Sequence, residues 1–248
     1  MNTKVKWFAI VTSLVLLLAS FSVSAQKTTQ WSEWSKKEAE KILNDSPWSQ
    51  TQTETNTSEM FYSPTTDPRL SGVRSTSNTE SRISQGATNQ SINVKYYIRF
   101  FSARPVRQAL VRMMMLNQKF DAQTTDKLRN FAEFKSTDSI ILTVTFESND
   151  QRFSGQAMQA FNSAVIGTLK NNTYLERNDG KRLFLEEYVP PGKDGFGSRF
   201  IFLRALDGKD FITGDAKEVR FYSEVSKDIK LDKRFKLSDM IYQGQLEY

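Results

Sequence analysis

Residues 92–109, I-N-V-K-Y-Y-I-R-F-F-S-A-R-P-V-R-Q-A, change periodicity partway along. Ile92, Val94, Tyr96, Ile98 and Phe100 recur at every second position, the repeat of a strand with one buried face. The opposite face carries Lys95, Tyr97, Arg99 and Phe101, so it is only partly polar. Ser102-Ala103-Arg104-Pro105 ends the alternation. Proline lacks the N–H that a helix interior needs but is accepted in the first turn, so a helix opens here. Val106, Ala109, Leu110, Met113 and Met114 then fall three and four residues apart and form its apolar stripe.

The pattern extends downstream. A second helix is expected over 125–134, with Leu128, Phe131 and Ala132 inward. Ile140, Leu142, Val144 and Phe146 alternate as another strand. A third helix starts near Ser154 and places Met158, Phe161, Val165 and Leu169 on one face. Beyond it the chain turns to strands: 173–177 and 182–189 flank the turn Asn178-Asp179-Gly180-Lys181, and 200–206, 218–225 and 229–237 follow. Helices early and hairpins late predict an α+β domain over residues 92–248. It has about three helices, an antiparallel or mixed sheet and a hairpin-rich C-terminal half.

Upstream, three segments differ in character. Residues 1–25 read as a signal peptide: Lys4 and Lys6 precede an apolar core around Leu14, Val15, Leu16, Leu17 and Leu18, and Val23-Ser24-Ala25 supplies a small residue for cleavage. An uncleaved N-terminal anchor is the alternative. Residues 26–48 form a Trp-bearing helical segment with Trp31, Trp34 and Trp48. Ser35-Lys36-Lys37-Glu38 is a capping box, Ala39, Ile42 and Leu43 line one face, and Asn44-Asp45-Ser46-Pro47 stops the helix. Three turns are too short to persist alone in water, so the helix must bury its face on its own domain or in a partner's groove. Residues 49–91 read as a disordered linker, since 25 of the 43 are Ser, Thr, Asn or Gln. Within it, Thr51, Thr53, Thr55 and Thr57, followed by Met60-Phe61-Tyr62, suggest an added edge strand or a local anchor.

The chain of 248 residues contains no histidine and no cysteine. Disulfides, Ser-His-Asp and Cys-His catalysis and the usual thiolate or imidazole metal sites are excluded. What remains for chemistry is carboxylate, Lys, Tyr, Ser or an oxygen-ligated metal. Asp207, Asp210 and Asp215 gather around a turn but lack the ligand spacing of a calcium loop, and a solvated turn is the default. The loop 190–197 has glycines without the Gly-Lys-Ser/Thr of a phosphate loop. Glu186 and Glu187 are adjacent and point to opposite faces of a strand, which makes them a poor acid–base pair. No catalytic, cofactor or metal residue is assigned, and no cofactor is expected.

The candidates for interaction are therefore Trp31, Trp34, Ile42 and Trp48 on the N-terminal segment and Arg99, Arg104 and Arg107 at the first strand–helix junction, with Arg112 nearby. Arginines among aromatic residues occur on RNA-binding sheets, but the glycine-containing consensus is missing and export argues against nucleic acid. A solvated basic helix end is the ordinary reading; an envelope protein or an anionic surface is the functional one. The segments W-S-E-W, S-P-W, R-F-F-S-A-R-P-V-R-Q-A, V-T-F-E-S, L-K-N-N-T-Y-L-E-R-N-D-G-K-R, P-P-G-K-D-G-F-G and E-V-R-F-Y-S-E together resemble a group of exported bacterial proteins. The resemblance spans nearly the whole chain after the leader. It implies a bacterial protein that is periplasmic or extracellular, and it brings no activity. The expected function is a non-enzymatic binding or structural module of the envelope or exterior. The alternatives are a carboxylate-dependent hydrolase acting on envelope polymers and a carrier of small apolar ligands.

Overall fold

The computed structural model describes residues 30–56, 92–135 and 138–248. Residues 1–25, expected to be a leader, and most of the polar segment, 57–91 with Met60-Phe61-Tyr62, lie outside the described residues. The fold is α+β with antiparallel sheets, as the sequence implies, and five helices are described rather than about three. The helices are α1 (Lys36–Asn44), α2 (Arg104–Asn117), α3 (Ala122–Glu133), α4 (Gln151–Ser163) and α5 (Ile166–Leu169).

The first sheet contains β1 (Ser49–Asn56), β2 (Ile92–Phe100), β3 (Ser139–Ser148), β6 (Glu187–Val189) and β7 (Ser198–Leu203), in the order β1-β2-β3-β7-β6. The second contains β4 (Thr173–Arg177), β5 (Arg182–Phe184), β10 (Glu218–Glu224) and β11 (Lys230–Lys236), in the order β11-β10-β4-β5. Two small hairpins complete the strands: β8 (Ala205–Leu206) with β9 (Lys209–Asp210), and β12 (Ile241–Tyr242) with β13 (Gln245–Leu246).

The alternating residues of β2 and β3 bury as their period requires, with Ile98, Phe100, Ile140, Leu142 and Val144 fully enclosed. The two sheets meet through phenylalanines. Phe100 lies edge-on to Phe235 with ring centroids 4.8 Å apart, and Phe221 receives Phe200 at 5.4 Å and Phe202 at 6.4 Å. Beside this seam α4 covers the first sheet, where Phe161 stacks on Phe146 at 5.5 Å and packs on Tyr96 at 6.3 Å. Aromatic side chains thus pack between the two sheets and beneath α4.

Three expectations are corrected. Residues 49–56 do not belong to a linker: they form β1, paired with β2 from Ser49 opposite Arg99 onward. The strand is visible only as alternating threonines because it is an edge and its inward positions are polar. Gln50, Gln52 and Glu54 share the face of Ile98, Tyr96 and Val94, so no hydrophobic period marks it. The N-terminal segment is therefore continuous with the domain's sheet. The third helix breaks at Ala164, after which α5 begins; Phe161 and Leu169 are buried, whereas Met158 and Val165 are exposed. The second arm of the hairpin over 182–189 is split. Its first part, β5, pairs with β4, and β6 crosses to β7 in the other sheet.

That crossing fastens one side of the molecule, through Leu185 N–H to Thr173 and Glu186 N–H to Ile201. Gln52 fastens the other. Its amide donates to the Lys230 carbonyl at 2.7 Å and accepts from the Asp232 N–H at 2.9 Å, so one side chain serves the outer edge of β11 as a neighbouring peptide would.

Two tests follow from this packing. Gly197 has φ of +80° and a Cβ there would sit 2.3 Å from the Val144 carbonyl oxygen. Gly197→Ala should cost about 3 kcal/mol, the sum of left-handed strain and overpacking. Gly195→Ala, with φ of +76° and open space, should cost about 1 kcal/mol; equal costs in urea unfolding would refute the steric assignment. Burial raises the Glu54 pKa above its usual 4.5, against a hydrogen bond from Gln52 that lowers it. A raised carboxyl pKa means that ionisation costs the folded state stability, a cost absent below pH 4.5 and complete above the folded pKa. Glu54→Gln should accordingly raise Tm at pH 7 and leave it unchanged at pH 4; a gain of the same size at both would show that the carboxylate's charge is not the cause.

Candidate functional site

The structure brings all seven sequence candidates into one region and commits them internally. Trp34 and Trp48 are buried, and Trp31 and Ile42 pack half-buried against the same core. Trp48 lies edge-on to Tyr242 at 6.0 Å and donates its indole N–H to the Glu247 carbonyl at 2.9 Å. Trp31 donates to the Glu133 carboxylate at 2.7 Å. Gln108 joins these two ends: its amide N–H reaches Glu133 at 3.0 Å, and its amide oxygen accepts from the Tyr242 hydroxyl at 2.7 Å. The N-terminal segment thus docks in cis, on α2, α3 and the C-terminal hairpin.

The arginines have a shared task, which is to complete helix termini. The last carbonyls of a helix have no partner within it. At the end of α1, Ser46 Oγ donates to Ile42 at 2.7 Å, Arg99 Nε to Leu43 at 2.5 Å and Thr51 Oγ1 to Asn44 at 2.8 Å. The Arg99 guanidinium also meets the Asn44 amide oxygen at 3.0 Å and the Thr145 hydroxyl at 2.7 Å. Arg107 does the same for α3, donating to Phe131 at 3.2 Å and to Phe134, and it holds Phe101 at 3.3 Å and Ser102 as well. A cation at a helix C-terminus is also favoured by the backbone dipole. Burial lowers both pKa values to about 10, so both remain charged at neutral pH.

The N-terminus of α2 is served from the far end of the chain. Its cap residue, Ala103, has no side-chain acceptor. Glu247 substitutes, accepting the Arg104 N–H at 3.3 Å while pairing with the Arg104 guanidinium at 3.0 Å. Arg112 donates to the Trp34 carbonyl at 2.6 Å. Arg99, Arg104, Arg107 and Arg112 are thus each bonded within the fold.

The candidate site that remains open to solvent lies on the other side of the same C-terminal hairpin. A groove of about 660 Å³ runs between the segment 214–218, the end of β11 and the β12–β13 hairpin. Ala216 and Leu237 are buried in its floor, Leu246 is half-buried and Ile241 stands 49% exposed at its mouth. Asp215, Lys217, Glu218 and Lys236 form a rim of both signs. Hydrogen bonding from Thr213 holds Asp215 below the usual carboxylate range, and Glu218 is ion-paired with Arg234. Among the described residues no group of three acidic side chains is placed to hold a metal ion.

Sequence reasoning missed Gln108, Glu133, Tyr242 and Glu247, as well as the groove. The hairpin had a faint signal in Gln243-Gly244, whose φ values of +51° and +78° fit a two-residue turn, but Gln is an uncommon left-handed residue. Removing Glu247 leaves a part-buried guanidinium and a helix terminus without their carboxylate. Glu247→Ala should cost about 3 kcal/mol in urea unfolding. Because every tryptophan beyond residue 25 lies within 31–48, emission from a chain lacking residues 1–25 should report this docking. In the parent chain, Trp fluorescence and far-UV circular dichroism should fall together; a fluorescence transition at lower urea would show the segment to be only loosely attached.

Comparison with family models, with curated proteins and with solved structures yields no match, so the meaning of the groove rests on this chain's own residues.

Proposed function

We propose that this is an exported, non-catalytic binding module that receives an extended segment of an envelope protein in the groove beside β12–β13. The observation that carries the reading is the apolar floor of Ala216, Leu237 and Leu246 opening at an exposed isoleucine and rimmed by charges of both signs. Such a cleft suits a peptide: side chains fill the floor while backbone and polar groups meet the rim. Export is supported by the leader and by the resemblance to exported bacterial proteins. A carboxylate hydrolase acting in this groove would need one acid with a raised pKa beside one with a low pKa. Asp215 is shifted downward, the wrong direction for a proton donor, and Glu218 is ion-paired with Arg234.

The test is capture from the envelope fraction by tagged protein carrying a photo-crosslinking residue at Ser238. One defined envelope protein should be captured by the parent. Ile241→Asp should reduce that capture at least about tenfold, as expected for a central apolar anchor, without a change in Tm. Undiminished capture by the folded variant, or no defined product from the parent, would reject the groove as the docking site.

A further inference from the structure

The second sheet presents its outer face to solvent, and the strand register sorts that face into rows. Tyr222, Tyr174 and Phe184 are paired across β10, β4 and β5 and form an aromatic row. The Tyr174 and Tyr222 rings stack at 5.2 Å with 25° between planes, and Phe184 is turned 67° from Tyr174 at 6.0 Å. Tyr174 is covered by its neighbours, and the Arg182 guanidinium lies 4.3 Å over its ring, so it supports the row from within. Phe184, on the edge strand, is 46% exposed. Of the three rings in the row, that of Phe184 is the most open to solvent.

The next row is ionic and closed. Arg182, Glu176, Arg220 and Arg234 lie abreast in it, Arg182 pairing with Glu176, which also lies 3.5 Å from Arg220, while Asp232 from the row of Tyr222 pairs with Arg220 at 2.6 Å and Glu218 from the row beyond pairs with Arg234. Hydrogen bonding from the arginines holds Glu176 and Asp232 below the usual carboxylate range, so the pairs stay ionised well below neutral pH. This chemistry discriminates among ligands. A polyanion would have to compete with a carboxylate for each guanidinium. A protein interface would desolvate a row of ion pairs, which is costly, and interface cores are depleted of charge. A neutral polyhydroxylated ring has the complementary form. Its C–H face can lie on an aromatic ring while its hydroxyls donate to carboxylates and accept from guanidinium N–H groups without breaking the pairs.

We propose that this face is a second binding site, independent of the groove, which takes a neutral polysaccharide with one sugar ring stacked on Phe184 and the adjoining hydroxyls held by the Arg182–Glu176 pair.

The experiment uses the full chain after the leader, labelled with ¹⁵N, titrated with cellohexaose and with chitohexaose at millimolar concentration, and with dextran sulfate as the anionic control. At least one neutral hexasaccharide should shift amides of β4, β5 and β10 in a saturable way. Phe184→Ala should weaken that binding about tenfold or more, Phe184→Trp should restore it, and Ile241→Asp should leave it unchanged. Absence of binding by both neutral sugars, equal binding to Phe184→Ala, or binding of dextran sulfate alone would overturn the proposal. Protection of this face by a captured envelope protein, with no sugar bound, would assign it to a protein partner and overturn it as well. Ile241→Asp should lose envelope-protein capture and keep sugar binding, and Phe184→Ala should do the reverse, so loss of either site is distinguishable from loss of the other.

Discussion

A helix end leaves backbone carbonyls and N–H groups without partners, and in this fold several helix ends point at other parts of the protein rather than at water. The molecule meets that constraint with groups brought from elsewhere in the chain. Arg99 on β2 completes α1, Arg107 on α2 completes α3, and Glu247 near the C-terminus completes α2. Each of these contacts also ties one layer to another, because the supplying side chain belongs to a different element. A buried carbonyl without its donor costs more than an ordinary hydrogen bond gains, so these side chains tolerate little substitution. The same requirement explains why guanidinium groups are used. The Arg107 fork reaches four carbonyls at once, which the single ammonium of lysine cannot do in that geometry.

Sheet edges obey the same rule with amide chemistry. The outer edge of β11 is occupied by the side chain of Gln52, and the opposite side is joined by the chain passing from β5 to β6. Between these fastenings the seam is built mainly of apolar side chains, phenylalanine rings among them, with the buried Thr173 and Ser223 hydroxyls satisfying each other at 2.9 Å. The fold is thus divided: apolar packing supplies the centre, and long-range polar contacts decide where the helices and edges may sit.

That division also separates what the sequence showed from what it concealed. The buried strands β2 and β3 were legible because alternation is a local property, and α1 was legible because its capping box lies within four residues, with Ser35 N–H on Glu38 at 2.7 Å and Glu38 N–H on Ser35 at 3.3 Å. Strand β1 was faint because its inward residues are Gln50, Gln52 and Glu54, whose pairing is with groups as far away as Lys230. The arginine cluster was visible as a cluster, but its meaning was not. A guanidinium bonded to distant groups and one facing a partner have the same sequence, and only the positions of α1, α3 and Glu247 distinguish them. The groove was invisible for a related reason: its lining comes from segments around residues 178, 214–218, 236–238 and 241–246.

The hairpin β12–β13 connects the buried network to the open surface. Ile241 and Leu246 are paired on one face and line the groove. Tyr242 faces the other way, against Trp48, with its hydroxyl on Gln108, and Glu247 continues into the carboxylate that holds α2. The hairpin base is closed by Glu247 N–H to Met240 at 3.0 Å. One wall of the groove is therefore fixed from behind, so binding there would require little ordering of the wall itself. Under the function proposed above, the tryptophan segment would act on recognition without contact. By docking in cis it sets the hairpin that shapes the groove, so the tryptophans that looked like a binding motif act as the support of a surface formed elsewhere.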